Sequence, residues 1–180
     1  MRALSRFAPA LAPTLALSLA VALAPATALA GPAFDAFFAG LDAACTRTPA
    51  FEAWQAGLAA RHVPAAAPAP ERAPPADVAA GIGAVTPTEL GDHVRVSVAL
   101  DGTYRGLRLT RLIFYFGKEN GIYGWAVEFA ETPDLVRRIL GAAVEKGQRR
   151  LARPNESGFE PSTGFDFDNG RVALFCDFSN

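Results

Sequence analysis

This chain of 180 residues is poor in the residue types and motifs that most often carry chemistry. It has two cysteines, two histidines and one methionine, and its basic residues are almost all arginine, with Lys118 and Lys146 the only lysines. It contains no GxSxG nucleophile elbow, no GxxxxGK[ST] phosphate cradle and no HExxH zinc motif, so none of the enzyme classes built on those signatures is encoded in recognisable form. His62 and His93 stand apart, with no second His or Cys at ligand spacing. A metal site needs three or four convergent groups, so both read as surface or capping residues. The charge is nearly balanced, 17 basic against 18 acidic residues. That leaves no basic stripe for nucleic acid and no footprint for an anionic membrane surface.

A long unbroken hydrophobic run is also missing. The apolar stretch from Phe7 to Ala24 is interrupted by Pro9 and Pro13 and closed by Pro25, which argues against a membrane anchor. With Arg2 and Arg6 ahead of it and Ala28-Leu29-Ala30 behind, residues 1–30 read as a secretory signal peptide cleaved after Ala30. No cysteine follows the run, so lipoprotein processing has no acceptor. The expected product begins at Gly31 and is periplasmic or secreted. In such an oxidising compartment an even pair of cysteines is normally bridged, so Cys45 and Cys176 are expected to form a disulfide. Neither lies in a CxxC or protease setting that would make it a reactive thiol.

Residues 112–129, LIFYFGKENGIYGWAVEF, organise the remainder. Two runs rich in aromatic and β-branched residues flank a polar tip with Gly117 and Gly121, the pattern of a β-hairpin. Strand alternation puts Leu112, Phe114 and Phe116 on one face with Tyr123, Trp125, Val127 and Phe129. It puts Ile113 and Tyr115 on the other, with Ile122, Gly124, Ala126 and Glu128. Neither face is polar, so the first is expected in the core and the second at least partly covered, by another element or a partner.

The predicted order of elements is as follows. Residues 31–62 are helical. Phe34, Phe37, Phe38, Leu41 and Cys45 form one apolar face, and a second helix is capped by Thr48, with Pro49 at its first position and Glu52 in its first turn. Residues 63–87, rich in Pro and Ala, form an extended linker, with room for a short helical turn around Asp77. Residues 88–180 form the sheet. Within it a strand over 94–100 turns at Asp101-Gly102 into a partner over 103–109, and a corner near Thr110 leads to the central hairpin. Gly106 suggests a bulge or a close backbone approach. A helix over 133–146 follows the Thr132-Pro133-Asp134 start signal and stops at Gly147. Residues 148–162 form a loop, and Asn169-Gly170 turns a C-terminal hairpin. Altogether the chain is read as one α+β domain over residues 31–180, an antiparallel sheet of about six strands with packed helices and one disulfide.

Functional expectations come from what is exposed. Arg149, Arg150 and Arg153 in the long loop, with Arg137 and Arg138 nearby, could grip an anionic partner bidentately. Asp166, Asp168 and Asn169-Gly170 form a fragment of a calcium loop without its distal acid, and turn geometry accounts for them. Glu128, Asp166, Asp168 and Asp177 are the available carboxylates for acid-base work. No cofactor is implied. In part, Phe51–Pro64 (FEAWQAGLAARHVP) and the strand entry Leu90-Gly91-Asp92 resemble the periplasmic inhibitors of vertebrate-type lysozyme. The Cys-and-His inhibitory loop of that family is missing; Leu100-Asp101-Gly102-Thr103 stands there instead, so no inhibitory residue carries over. The expected function is an exported binding protein rather than an enzyme, of the inhibitor or immunity kind, directed at a cell-wall-degrading enzyme. The alternatives are a small exported hydrolase using carboxylates and a carrier of apolar small molecules.

Overall fold

The computed structural model describes residues 31–64, 66–70, 72–118, 121–152, 161–168 and 170–179. Three helices, α1 (Pro49–His62), α2 (Ala76–Ala79) and α3 (Pro133–Leu151), accompany six strands: β1 (Ile82–Leu90), β2 (His93–Tyr104), β3 (Leu107–Gly117), β4 (Tyr123–Phe129), β5 (Ser162–Asp168) and β6 (Arg171–Asp177). All six strands join one antiparallel sheet in the order β1-β2-β3-β4-β6-β5. The fold is α+β, as expected.

Strand parity decides where the core lies. Val94, Val96 and Val98 of β2, Leu112, Phe114 and Phe116 of β3, Trp125, Val127 and Phe129 of β4, and Val172, Leu174 and Cys176 of β6 all point to one face and are buried there. They pack against Phe51, Trp54 and Leu58 of α1 and Val136, Leu140 and Val144 of α3. Thr48 caps α1 as the sequence indicates: its Oγ1 accepts from the Phe51 N–H at 3.2 Å and donates to the Phe37 carbonyl at 2.9 Å. The Cys45–Cys176 disulfide is present, closing a sequence separation of 131 residues and tying the start of the described chain to β6.

Several local expectations give way to tertiary contacts. Residues 35–45 are a succession of turns, not a helix. Gly40, Ala44 and Cys45 take positive φ of 86°, 89° and 57°, which breaks any helical run. The apolar residues are nevertheless buried as the spacing implied. The cause lies in two anchors: Phe34 N–H donates to the Thr103 carbonyl at 2.7 Å at one end, and the disulfide holds the other. Residues 82–87 of the expected linker belong to β1, an edge strand, which is where a sheet tolerates a proline such as Pro87.

The Asp101-Gly102 turn does not form, and β2 runs through it to Tyr104 with a register shift between Ala99 and Gly102. Gly102 is required for a close approach: a Cβ there would lie 2.5 Å from both the Phe34 ring and the Pro32 carbonyl oxygen. The chain instead reverses at Arg105-Gly106, both with positive φ, 52° and 76°, the geometry that matches strand twist in a two-residue hairpin. Gly106 is thus a turn residue and not a bulge. β3 is continuous through Thr110, and the expected corner survives only as a register shift between Leu109 and Arg111 in the pairing with β4.

α3 continues past Gly147 to Leu151, so Arg149 and Arg150 lie in its last turn and not in a loop. Gly147 is buried because the backbone of residues 43–44 crosses it; an added Cβ would stand 2.7 Å from the Ala44 nitrogen. Replacing Gly by Ala at an ordinary helical site stabilises by about 1 kcal/mol. Here the clash is with backbone, so Gly147→Ala is expected to destabilise by about 1 to 3 kcal/mol in urea unfolding. A gain in stability would refute the close approach.

Candidate functional site

All three helices contribute to the core on one face of the sheet. On the other face, strand register assembles rows of side chains from distant parts of the sequence. Arg95, Tyr115, Gly124 and Asp177 form one row across β2, β3, β4 and β6. Ser97, Ile113, Ala126, Phe175 and Gly164 form the next, and Arg111, Glu128, Ala173 and Asp166 a third. The middle of each row is small: Gly124, Ala126 and Ala173 sit between bulky neighbours. That contrast in size digs a groove along β4 and β6.

Two contiguous depressions of about 230 and 270 Å³ make up the groove, sharing Tyr115, Ala126 and Asp166. Among the described residues no helix contributes to its lining. Ile113 and Ala126 are only 8 % and 7 % exposed, although among the described residues no helix packs over them.

The rim carries charge of both signs. Glu128 lies 3.6 Å from Arg111 Nε and 3.9 Å from Arg171 Nη1, yet its Oε2 accepts no hydrogen bond. Arg95 differs from the other two arginines. Its Nε is buried without a hydrogen-bond partner, and among the described residues no carboxylate pairs with it. Tyr115 stands beside it. Burial raises the Tyr115 phenol above its ordinary value; the Arg95 charge offsets part of this, while Asp166 and Glu128 add to it. Among the described residues the groove therefore offers an apolar floor, a cation, Arg95, without a carboxylate partner, and carboxylates at Glu128, Asp166 and Asp168.

The arginines named from sequence lie elsewhere. Arg137, Arg138, Arg149 and Arg150 all belong to α3, which packs on the opposite face. Arg137 sits 4.2 Å over the Phe167 ring, and Arg149 pairs with Glu145 at 3.9 Å on an exposed turn. Arg138 and Arg150 are solvent-exposed. Arg153 falls outside the described residues. Glu128, Asp166 and Asp168, named singly as possible acids, do share one groove, and Asp177 lines its adjoining half. Of the calcium-like fragment, Asp166 Oδ1 accepts the Phe167 N–H at 2.8 Å, and Asn169 lies outside the described residues. Among the described residues no three His, Cys, Asp or Glu side chains gather closely enough to hold a metal ion. His62 closes α1 and His93 opens β2, where Asp92 Oδ1 lies 2.7 Å from its Nδ1.

Sequence reading overlooked Arg95, Arg111, Tyr115 and Arg171 as a group. The signal was present as parity: each falls on the strand face opposite the core, beside the run of small residues in β4. Which residues stand opposite one another depends on register, which single-strand periodicity does not carry.

A second polar cluster secures the β2–β3 turn. Asp35 Oδ1 accepts the Arg105 N–H at 3.0 Å, Asp42 Oδ2 lies 3.3 Å from Arg105 Nε, and the guanidinium stacks 5.5 Å over the Tyr104 ring. These contacts hold a non-glycine residue at positive φ. Tyr104 is fully buried, and its hydroxyl lies beside the Asp42 carboxylate without a well-aligned hydrogen bond to any described residue. Burial, followed by the Asp42 charge, pushes its phenol far above the ordinary range. Tyr115 and Tyr123 are raised too, again first by burial.

A phenol raised on folding contributes stability that is complete below its unfolded value of about 10 and is lost as pH climbs through the folded value. The protein should therefore weaken above about pH 10. Tyr104→Phe removes a phenol whose ionisation burial and Asp42 oppose, and should make the alkaline decline shallower. Urea midpoints of both proteins across the alkaline range check this; an equal decline in both would exclude Tyr104 as a contributor.

No protein-family model, no curated protein and no solved structure matches this chain.

Proposed function

We propose that this is an exported binding protein of the inhibitor or immunity kind, which holds an acidic segment of a cell-wall-degrading enzyme in the groove on the face of its sheet opposite the described helices. The observation that carries this reading is Arg95: a guanidinium beside Tyr115 whose buried Nε has no partner among the described residues, at the edge of an apolar floor. Enzymes that cleave wall glycans commonly work with a pair of carboxylates, and guanidinium is the side chain best shaped to take a carboxylate bidentately. Export is supported by the leader-like residues 1–30 and by the disulfide, a bond that persists in oxidising compartments. Among the described residues no helix is long and apolar enough to cross a membrane.

One observation favours a second reading. Glu128, Asp166 and Asp168 line the same groove, as a small carboxylate hydrolase would require. A hydrolytic general acid works best in apolar surroundings, whereas Glu128 has Arg111 and Arg171 as neighbours, so binding is the better reading.

Turbidity assays on isolated cell walls separate these readings, using a panel of muramidases, lytic transglycosylases and amidases with and without the purified protein. Equimolar protein is expected to slow at least one enzyme tenfold or more. Arg95→Glu should abolish the effect, and an Arg149→Glu/Arg150→Glu variant should keep it. If no enzyme of the panel is slowed by excess protein, the reading fails. Loss confined to the α3 variant would move the contact to the other face. Release of wall fragments by the protein alone, abolished in Glu128→Gln, would establish the hydrolase instead.

A further inference from the structure

On the helical side of the sheet, a separate groove of about 450 Å³ lies between α1, the chain at residues 66–69 and the outer ends of β3 and β4. Its walls are short and apolar: Ala56 and Ala59 from α1, Ala66 to Ala69 opposite, with Phe116 and Tyr123 at the hairpin. Five alanines at these positions leave a channel where larger side chains would have closed it.

One end of the channel is polar, and there Gln55 is only 2 % exposed. Its Oε1 accepts from Arg47 Nη1 at 3.4 Å, which sets the orientation of the amide, while its Nε2 has no acceptor among the described residues. A buried N–H donor without an acceptor is a cost that a folded protein normally avoids. Charge at this end is already balanced. Arg47 Nε pairs with Glu52 at 3.2 Å, Arg47 Nη1 donates to the Tyr123 hydroxyl at 2.6 Å, and the guanidinium stacks over Tyr123, Trp125 and Phe178. A ligand carboxylate would compete with Glu52 for Arg47, and a ligand ammonium would face Arg47. The complementary head group is a neutral carbonyl. Water could satisfy the Gln55 donor, but it would leave the alanine walls wet; an acyl chain satisfies both.

We propose that this channel is a binding site for a small neutral acyl compound, an amide or ester whose carbonyl accepts from Gln55 Nε2 and whose alkyl chain lies along the alanine walls. It is distinct from the groove of the proposed function, on the other face of the sheet, and either can stand without the other.

Backbone amide chemical-shift titrations of the intact folded protein with octanamide, sodium octanoate and octylamine test it. Octanamide is expected to saturate, with shifts concentrated at residues 55–59, 66–69, Phe116 and Tyr123, and to bind at least tenfold more tightly than the two charged compounds. Ala59→Leu, which fills the channel from a partly exposed position, should weaken octanamide at least tenfold with its melting temperature little changed. Gln55→Leu should retain binding of the alkyl chain and lose the preference for the amide. The proposal is overturned if octanamide does not saturate, if its shifts map elsewhere, if Ala59→Leu binds as well as the parent, or if Gln55→Leu keeps the tenfold preference.

Discussion

Opening the Cys45–Cys176 bridge, by a Cys45→Ala/Cys176→Ala double substitution, is expected to lower the unfolding free energy by about 5 kcal/mol on the chain-entropy account. The magnitude follows from the sequence separation of 131 residues, since the entropy that a cross-link removes from the unfolded chain grows with the logarithm of the loop. A single domain's net stability is about 5 to 15 kcal/mol, so the loss is a large fraction of the whole. The location adds to it. Residues 35–45 form turns with no regular hydrogen-bond ladder, and the disulfide is what pins their end to β6. Urea unfolding of the parent and the double variant measures the difference. A loss below about 2 kcal/mol would mean that native strain or residual unfolded-state structure offsets the loop term.

Phe51→Ala carries the other large expected effect, a loss of about 4 kcal/mol, within the range for deleting a buried Phe. Phe51 is 2 % exposed. Its ring centroid lies 5.5 Å from Phe37, 5.7 Å from Phe38, Phe114 and Trp125, and 6.5 Å from Trp54. These rings come from the irregular first segment, from α1 and from two adjacent central strands, so one side chain joins three parts of the fold. Collapse around the cavity is restricted because the surrounding rings are themselves packed edge to face. Phe51→Leu, which keeps most of the volume, should recover more than half of the loss. Chemical denaturation with near-ultraviolet dichroism reads both quantities, and a Phe51→Ala cost below about 2 kcal/mol would show that the cluster repacks.

The groove itself was half legible. Ile113, Tyr115, Gly124, Ala126 and Glu128 could be assigned to one face of a hairpin from alternation alone, and that face could be recognised as too apolar to stand fully in water. Arg95 and Asp166, some 70 residues apart in the chain, meet at the groove only because β2, β3, β4, β6 and β5 pair in that order. Sequence alone places Arg149 and Arg150 on a loop, because Gly147 has the character of a helix terminator. The residue that explains Gly147 is Ala44, remote in sequence. The Asp101-Gly102 turn failed for the same kind of reason: Phe34 and Pro32 occupy the space beside Gly102, so the glycine serves a contact with the first segment and the strand runs on.

What the amino-acid sequence determined alone was whatever rests on neighbours in the chain. The capped start of α1, the core-facing parity of β3 and β4, the apolar stripe of α3, and the bridge between the only two cysteines all follow from spacing and residue chemistry. What tertiary structure decided was register, the true hairpin at Arg105-Gly106, the length of α3 and the joining of Arg95 to Glu128, Asp166 and Asp168 in one groove. The division is physical. Local preferences are worth about 1 kcal/mol or less per residue, and a backbone contact or a disulfide from a distant segment outweighs them.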